Sequence, residues 1–63
     1  MGNKVKDLYQ EMKDIYKTSV VDVDKFCEGN NSAGTRVRKA MQVVKQLAQD
    51  IRVEVQDQKN KQF

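Results

Sequence analysis

Glycine stands at positions 2, 29 and 34 and proline at none, so the 63 residues hold one credible break in a regular backbone, Gly29-Asn30-Asn31-Ser32-Ala33-Gly34. In the first segment Val5, Leu8, Tyr9, Met12, Ile15, Tyr16, Val20, Val23, Phe26 and Cys27 fall three and four apart, which is a helical stripe. In the second, Ala33, Val37, Ala40, Val44, Leu47 and Ile51 alternate steps of four and three, the spacing of a coiled-coil seam. Two stretches carry strand-like composition: the branched run from Thr18 to Val23, and the alternation Ile51-Arg52-Val53-Glu54-Val55-Gln56. Neither is bounded by turn residues and the second stays in phase with the upstream heptads, so both read as helix, with Thr18 to Val23 the expected place for a weakened or bent turn. Gly29 suits a left-handed helix stop, and Asn31 or Ser32 suits the N-cap that follows. The expected fold is all-α: an antiparallel two-helix hairpin, coiled-coil-like, forming a single domain over 1–63. Helix 1 is expected at about 3–28, the turn at 29–32 and helix 2 at about 33–60.

Each arm would reach about 40 Å at ~1.5 Å per residue. A chain this short buries only about 60% of the surface its unfolded form exposes, and is marginal without a staple. One cysteine and no histidine provide neither an internal disulfide nor a His/Cys zinc site. The first arm nevertheless carries neighbouring apolar rows, Leu8 and Ile15 beside Tyr9, Tyr16 and Val23, more than one partner helix covers. A homodimer forming a four-helix bundle is therefore expected. An elongated monomeric hairpin or one continuous helix is the alternative.

Catalytic and metal chemistry find little support. Asp22-Val23-Asp24 does not open a calcium loop, because Phe26 and Cys27 stand where an oxygen ligand and a glycine are needed. Ser19, Ser32 and Thr35 have no histidine base, and a small bundle offers no dry pocket to activate a lysine. No enzyme, cofactor or small-molecule substrate is expected. Cys27 reads as a small hydrophobe near the hairpin tip, with an intersubunit disulfide or a reactive thiol as the alternative. No apolar run approaches the roughly 20 residues of a membrane span, and Lys6 occupies the place where a myristoylation signal wants Ser or Thr. The expected location is cytoplasmic.

The net charge of +3 conceals an uneven distribution. Residues 1–30 hold five lysines and six carboxylates, whereas residues 31–63 hold seven cations and three carboxylates. Between Asn31 and Gln49 the only charges are Arg36, Arg38, Lys39 and Lys45. Cations opening a helix oppose its dipole by about 0.3–1 kcal/mol each, an arrangement that makes sense if an anion completes the site. Backbone N–H groups around Ser32 to Thr35, with Arg36 and Lys39, are expected to converge on a phosphate, and Gly34 to allow its close approach. In the alternative reading Gly34 only permits a close helix crossing and the cations are solvated. Arg38, Lys45, Arg52 and Lys59 recur every seven residues, with Gln42, Gln49 and Gln56 in a neighbouring row, a stripe that either follows a phosphate backbone or is simply a solvated surface.

The stretch Glu28 to Ala40, EGNNSAGTRVRKA, resembles the chlamydial histone-like (linker-histone-like) family and its short bacterial relatives. The resemblance is carried by Gly29-Asn30, Ala33-Gly34 and Arg36-Val37-Arg38-Lys39, and continues into the downstream helix with Lys45 and Ile51-Arg52. It implies binding to double-stranded DNA without sequence preference, organisation of the nucleoid and nucleoid association. Longer relatives carry a Lys- and Ala-rich tail, whereas this sequence reads Gln56-Asp57-Gln58-Lys59-Asn60-Lys61-Gln62-Phe63. Affinity is therefore expected from a folded basic surface multiplied by dimerisation, with Arg36, Arg38 and Lys39 as primary contacts and Lys45 and Arg52 as secondary ones. RNA binding and a protein-interaction scaffold or adaptor are the rival expectations.

Overall fold

The computed structural model describes residues 3–61 as two helices, α1 (Lys4–Cys27) and α2 (Asn31–Lys61), packed against each other as a hairpin. Asn3 caps α1: its backbone is extended and its side-chain oxygen accepts the Val5 N–H at 2.9 Å, satisfying one of the donors a helix start leaves open. Asp7 adds a negative charge in the first turn and Lys25 a positive one in the last, both favoured by the helix dipole.

The turn closes as the glycine spacing predicts. Gly29 takes φ +104°, a left-handed conformation open to glycine and costly for other residues. The Gly29 N–H donates to the Phe26 carbonyl at 2.9 Å and the Asn30 N–H to the Lys25 carbonyl at 3.0 Å, the paired bonds of a Schellman stop. Asn30 then caps α2, accepting the Ala33 N–H on its side-chain oxygen at 3.0 Å. This corrects the expected cap at Asn31 or Ser32. Because the left-handed glycine reverses the chain in a single step, the next residue already caps, and α2 begins at Asn31 rather than near 33.

The seam also departs from the expected apolar stripe. On α2 it runs through Ala33, Val37, Ala40, Val44, Leu47 and Ile51 as predicted, and continues into Glu54 and Gln58. On α1 it follows Val5, Leu8, Met12 and Ile15, then passes through Ser19 and Asp22 rather than Val20 and Val23. Steps of three and four residues hold one face in line along a slightly supercoiled helix, and that geometry carries the seam onto two polar residues. Each is satisfied. Buried Ser19 donates to the Tyr16 carbonyl at 3.0 Å, and Asp22 accepts from Arg36 of α2. Thr18 likewise donates back to the Asp14 and Ile15 carbonyls, a bond that competes with the helix ladder, yet α1 runs through the branched stretch without interruption.

Gly34 lies under the ring of Phe26. A Cβ built on Gly34 would stand 2.6 Å from Phe26 Cδ1, inside any tolerable contact, so the missing side chain is what lets the ring cover the start of α2. At the opposite end, Asn3 and Gln58 exchange side-chain amide bonds of 3.2 and 3.0 Å, tying the first residue of the hairpin to the last turn of α2. Gln58 also donates to Glu54, whose carboxylate lies 4.0 Å from Lys4.

What lies between the helices is small. Among the described residues only Ala33 and Leu47 are buried apolar side chains, and no large side chain is fully enclosed. The hairpin measures 52 × 19 × 11 Å with a radius of gyration of 15.1 Å. A compact domain of the same length would give about 10–11 Å. Tyr9, Tyr16, Val20 and Val23 of α1 remain exposed, together with Met41 and Val55 of α2. Cys27 sits at the tip as expected but faces solvent as a free thiol instead of packing.

Candidate nucleic-acid interface

With the seam fixed, the outward side of α2 follows. It consists of three parallel rows: Arg38, Lys45, Arg52 and Lys59; Thr35, Gln42, Gln49 and Gln56; and Ser32, Lys39, Gln46, Val53 and Asn60. Every one of these residues is exposed. The three carboxylates of α2, Asp50, Glu54 and Asp57, all lie outside these rows, toward the seam and one flank. The outer face therefore carries five cations, a set of amides and hydroxyls, and no negative charge. From Arg38 to Lys59 it extends about 30 Å at ~1.5 Å per residue.

Gln42, Lys45, Gln46, Gln49 and Arg52 line one shallow depression on this face, with the methyl of Ala48 at its edge. Among the described residues, Arg38, Lys39, Lys45, Arg52 and Lys59 form no ion pair, and the pairs that exist involve Lys4, Arg36 and Lys61. Long exposed cations without carboxylate neighbours keep their full charge for an outside anion.

The structure separates the residues expected to converge at the start of α2. The Arg36 Nε donates to Asp22 Oδ1 at 2.9 Å, bridging the two helices on the flank away from Arg38. Half exposed, such a pair contributes at most about 1 kcal/mol, but it commits this guanidinium to the hairpin. Gly34 is covered by Phe26, and the N–H groups of Ala33 and Gly34 are directed to Asn30, at 3.0 Å to its side chain and 3.4 Å to its carbonyl. The cradle of free N–H groups, Gly34 and Arg36 is thus not assembled, because the Asn30 cap and the helix crossing use the same atoms. Ser32 and Thr35 remain exposed at the head of the outer rows, in line with Arg38 and Lys39. Lys59 belongs with Arg38, Lys45 and Arg52 by its heptad spacing, and the acid-free character of the whole face emerges only once the seam assigns Asp50, Glu54 and Asp57 to the other side.

Among the described residues no cluster of His, Cys, Asp and Glu is placed to hold a metal, and no helix is long and apolar enough to cross a membrane. Neither the curated proteins nor the solved structures contain a match to the chain. The family model described as Histone H1-like protein Hc1 matches residues 6–61, which takes in almost all of α1, the turn and α2. With that match spanning both arms of a hairpin that bears a continuous basic face, the chain belongs to the histone H1-like protein Hc1 family, a family of DNA-binding structural proteins rather than enzymes.

Proposed function

We propose that the chain binds duplex DNA without sequence preference, as a homodimer, through phosphate contacts made by the outer face of α2, and that it acts in the nucleoid. The observation that carries this reading is the acid-free face of Arg38, Lys39, Lys45, Arg52 and Lys59 running the length of one rigid helix. Cations at heptad spacing repeat about every 10 Å, a separation that lets flexible side chains of this length reach successive phosphates of a duplex. Arg38, Lys39, Lys45 and Arg52 are the principal contacts in this account, with Ser32 and Thr35 adding hydroxyl donors at one end. Arg36 and Gly34 serve instead by holding the hairpin together.

Nothing on this face selects a base. Lysines and arginines on a convex helix surface neutralise phosphates, and the glutamines between them donate hydrogen bonds without introducing repulsion. A competition titration tests the proposal: labelled duplex is displaced by unlabelled duplexes of unrelated sequence and by structured RNA, at low and at moderate salt. Duplexes of different sequence should compete equally, and RNA should compete less well. Preferential displacement by RNA would reassign the face to RNA. An absence of duplex binding at low salt, with stoichiometric capture of a protein, would favour a scaffold role.

A further inference from the structure

One flank of the hairpin is both apolar and free of acid. Tyr9, Tyr16 and Val23 of α1 and Met41, Ala48 and Val55 of α2 fall on the same side of the seam, and two grooves that share Tyr9 connect Tyr9 and Tyr16 with Met41 and Val55 as a strip. One groove is lined by Tyr9, Met12, Lys13, Tyr16, Met41 and Val44, and the other by Val5, Lys6, Tyr9, Val55 and Gln58 with Asn3. Tyr9 is 57% and Tyr16 65% exposed. Lys6 and Lys13 border the strip on α1, and Arg38, Lys45, Arg52 and Lys59 border it on α2. None of the nine carboxylates of the chain lies in the strip or in its borders.

We propose that this tyrosine flank is where a second copy of the chain docks, and that a polyanion lying along the cation rows on either side of the joint drives the docking. The proposal rests on the reading that the outer face of α2 binds phosphates. Three observations select a second copy as the occupant. Among the described residues only Ala33 and Leu47 are buried apolar side chains, so the hairpin needs a further layer to fold around, and a copy of itself provides one wherever the chain is made. The exposed parts of Tyr9, Tyr16, Val20, Val23, Met41 and Val55 amount to roughly 500 Å² per hairpin; with the aliphatic stems of the bordering cations, a face-to-face pair approaches the ~800 Å² per partner of a stable interface. The strip also runs along the hairpin at even spacing on both helices, so it matches its own copy related by a two-fold axis.

Charge sets the conditions. Closing two such flanks brings six cations from each copy along the edges of one joint, with no carboxylate to offset them. In low salt that repulsion opposes the apolar contact. Phosphates placed along the joint reverse the sign, because they are attracted to both copies at once. Docking and polyanion binding then strengthen each other by the same factor, as linkage requires.

The test is sedimentation analysis of the full chain at low and high sodium chloride, and at low salt with inorganic polyphosphate. Self-association should tighten several-fold as salt rises, opposite to the behaviour of a contact held by ion pairs. Polyphosphate at low salt should tighten it by about tenfold, within the usual range of coupling between sites. The neutral double substitution Tyr9→Ser with Tyr16→Ser should remove the effect, and Val21→Ser, exposed on α1 away from both the flank and the outer face of α2, should leave it. In the unaltered protein, quenching of tyrosine fluorescence by a neutral quencher should fall when polyphosphate is added, a measurement independent of any variant. Self-association that weakens with salt, polyphosphate complexes indifferent to the tyrosine substitutions, or tyrosines equally quenched with and without polyphosphate would overturn the proposal. A tyrosine-dependent dimer in a chain that fails to shift duplex DNA would instead overturn the DNA-binding reading and leave the docking flank standing.

Discussion

Replacing Arg38, Lys45 and Arg52 together by glutamine should weaken duplex binding by at least two orders of magnitude at about 0.1 M salt while leaving the helical signal intact. The size follows from counterion release. At that salt each phosphate neutralised contributes roughly 8-fold to the association constant, taking a logarithmic slope of −0.9 per contact, so three contacts together are worth several hundred-fold. The three residues are exposed, lie in one row and form no ion pair among the described residues, so their loss removes no packing and breaks no pair within the fold. Affinity should fall evenly across duplex sequences, because phosphate contacts carry no sequence information. Arg36→Gln offers a contrast: it breaks the pair with Asp22, and should lower stability modestly while changing DNA affinity far less than any residue of the row. Electrophoretic mobility shifts and circular dichroism on the same preparations separate the two effects. A triple variant that binds as tightly as the parent would remove the outer face of α2 from the account.

The second large effect concerns folding. Leu47 is the one large apolar side chain classed as buried among the described residues, at 6% exposure, and Leu47→Ala should cost about 2–3 kcal/mol. For a chain of this length the whole stability is on the order of 3–9 kcal/mol, so this single truncation removes at least about a fifth of it and, at the lower end, most of it. Val53→Ala, at 58% exposure on the outer face of α2, deletes apolar atoms that pack against little and should stay within about 0.5 kcal/mol. Thermal and urea unfolding followed by circular dichroism measure both. Equal costs at the two positions would mean that the seam does not run through Leu47.

The hairpin was legible in the sequence because its main determinants are local. A lone left-handed glycine flanked by long segments of helical periodicity fixes two arms and a reversal, and Gly29 performs that role with the Schellman bonds to Phe26 and Lys25. The half of the α1 seam nearest the tip was less legible. Val20 and Val23 extend the apolar pattern by composition, yet the seam crosses to Ser19 and Asp22, since supercoil geometry selects positions rather than hydrophobicity. A buried serine bonded to its own backbone and an aspartate paired across to Arg36 have no signature in a single sequence. The cap at Asn30 was one residue ahead of its expected place for a related reason: Asn30, Asn31 and Ser32 are all good caps, and only the geometry after Gly29 decides among them.

For the binding face, the heptad repeat of Arg38, Lys45, Arg52 and Lys59 was visible directly. Its neighbours were not separable in sequence. Arg36, Arg38 and Lys39 form one run of letters, but a step of 100° per residue sends Arg36 to the flank of Asp22 and leaves Arg38 and Lys39 outside. Gly34 beside them suggests a close approach, and the group that approaches is the ring of Phe26. Segregation of all the carboxylates away from the tyrosine flank likewise becomes visible only after both helices are placed, because in the sequence Asp7 and Asp14 adjoin Lys6 and Lys13.

The salt dependence of duplex binding tests the central claim most directly. If a dimer engages about four to six phosphates through the outer faces of α2, the logarithm of the association constant should fall linearly with the logarithm of salt concentration at a slope of roughly −3.5 to −5.5. A slope near zero, with binding that persists unchanged into high salt, would contradict it.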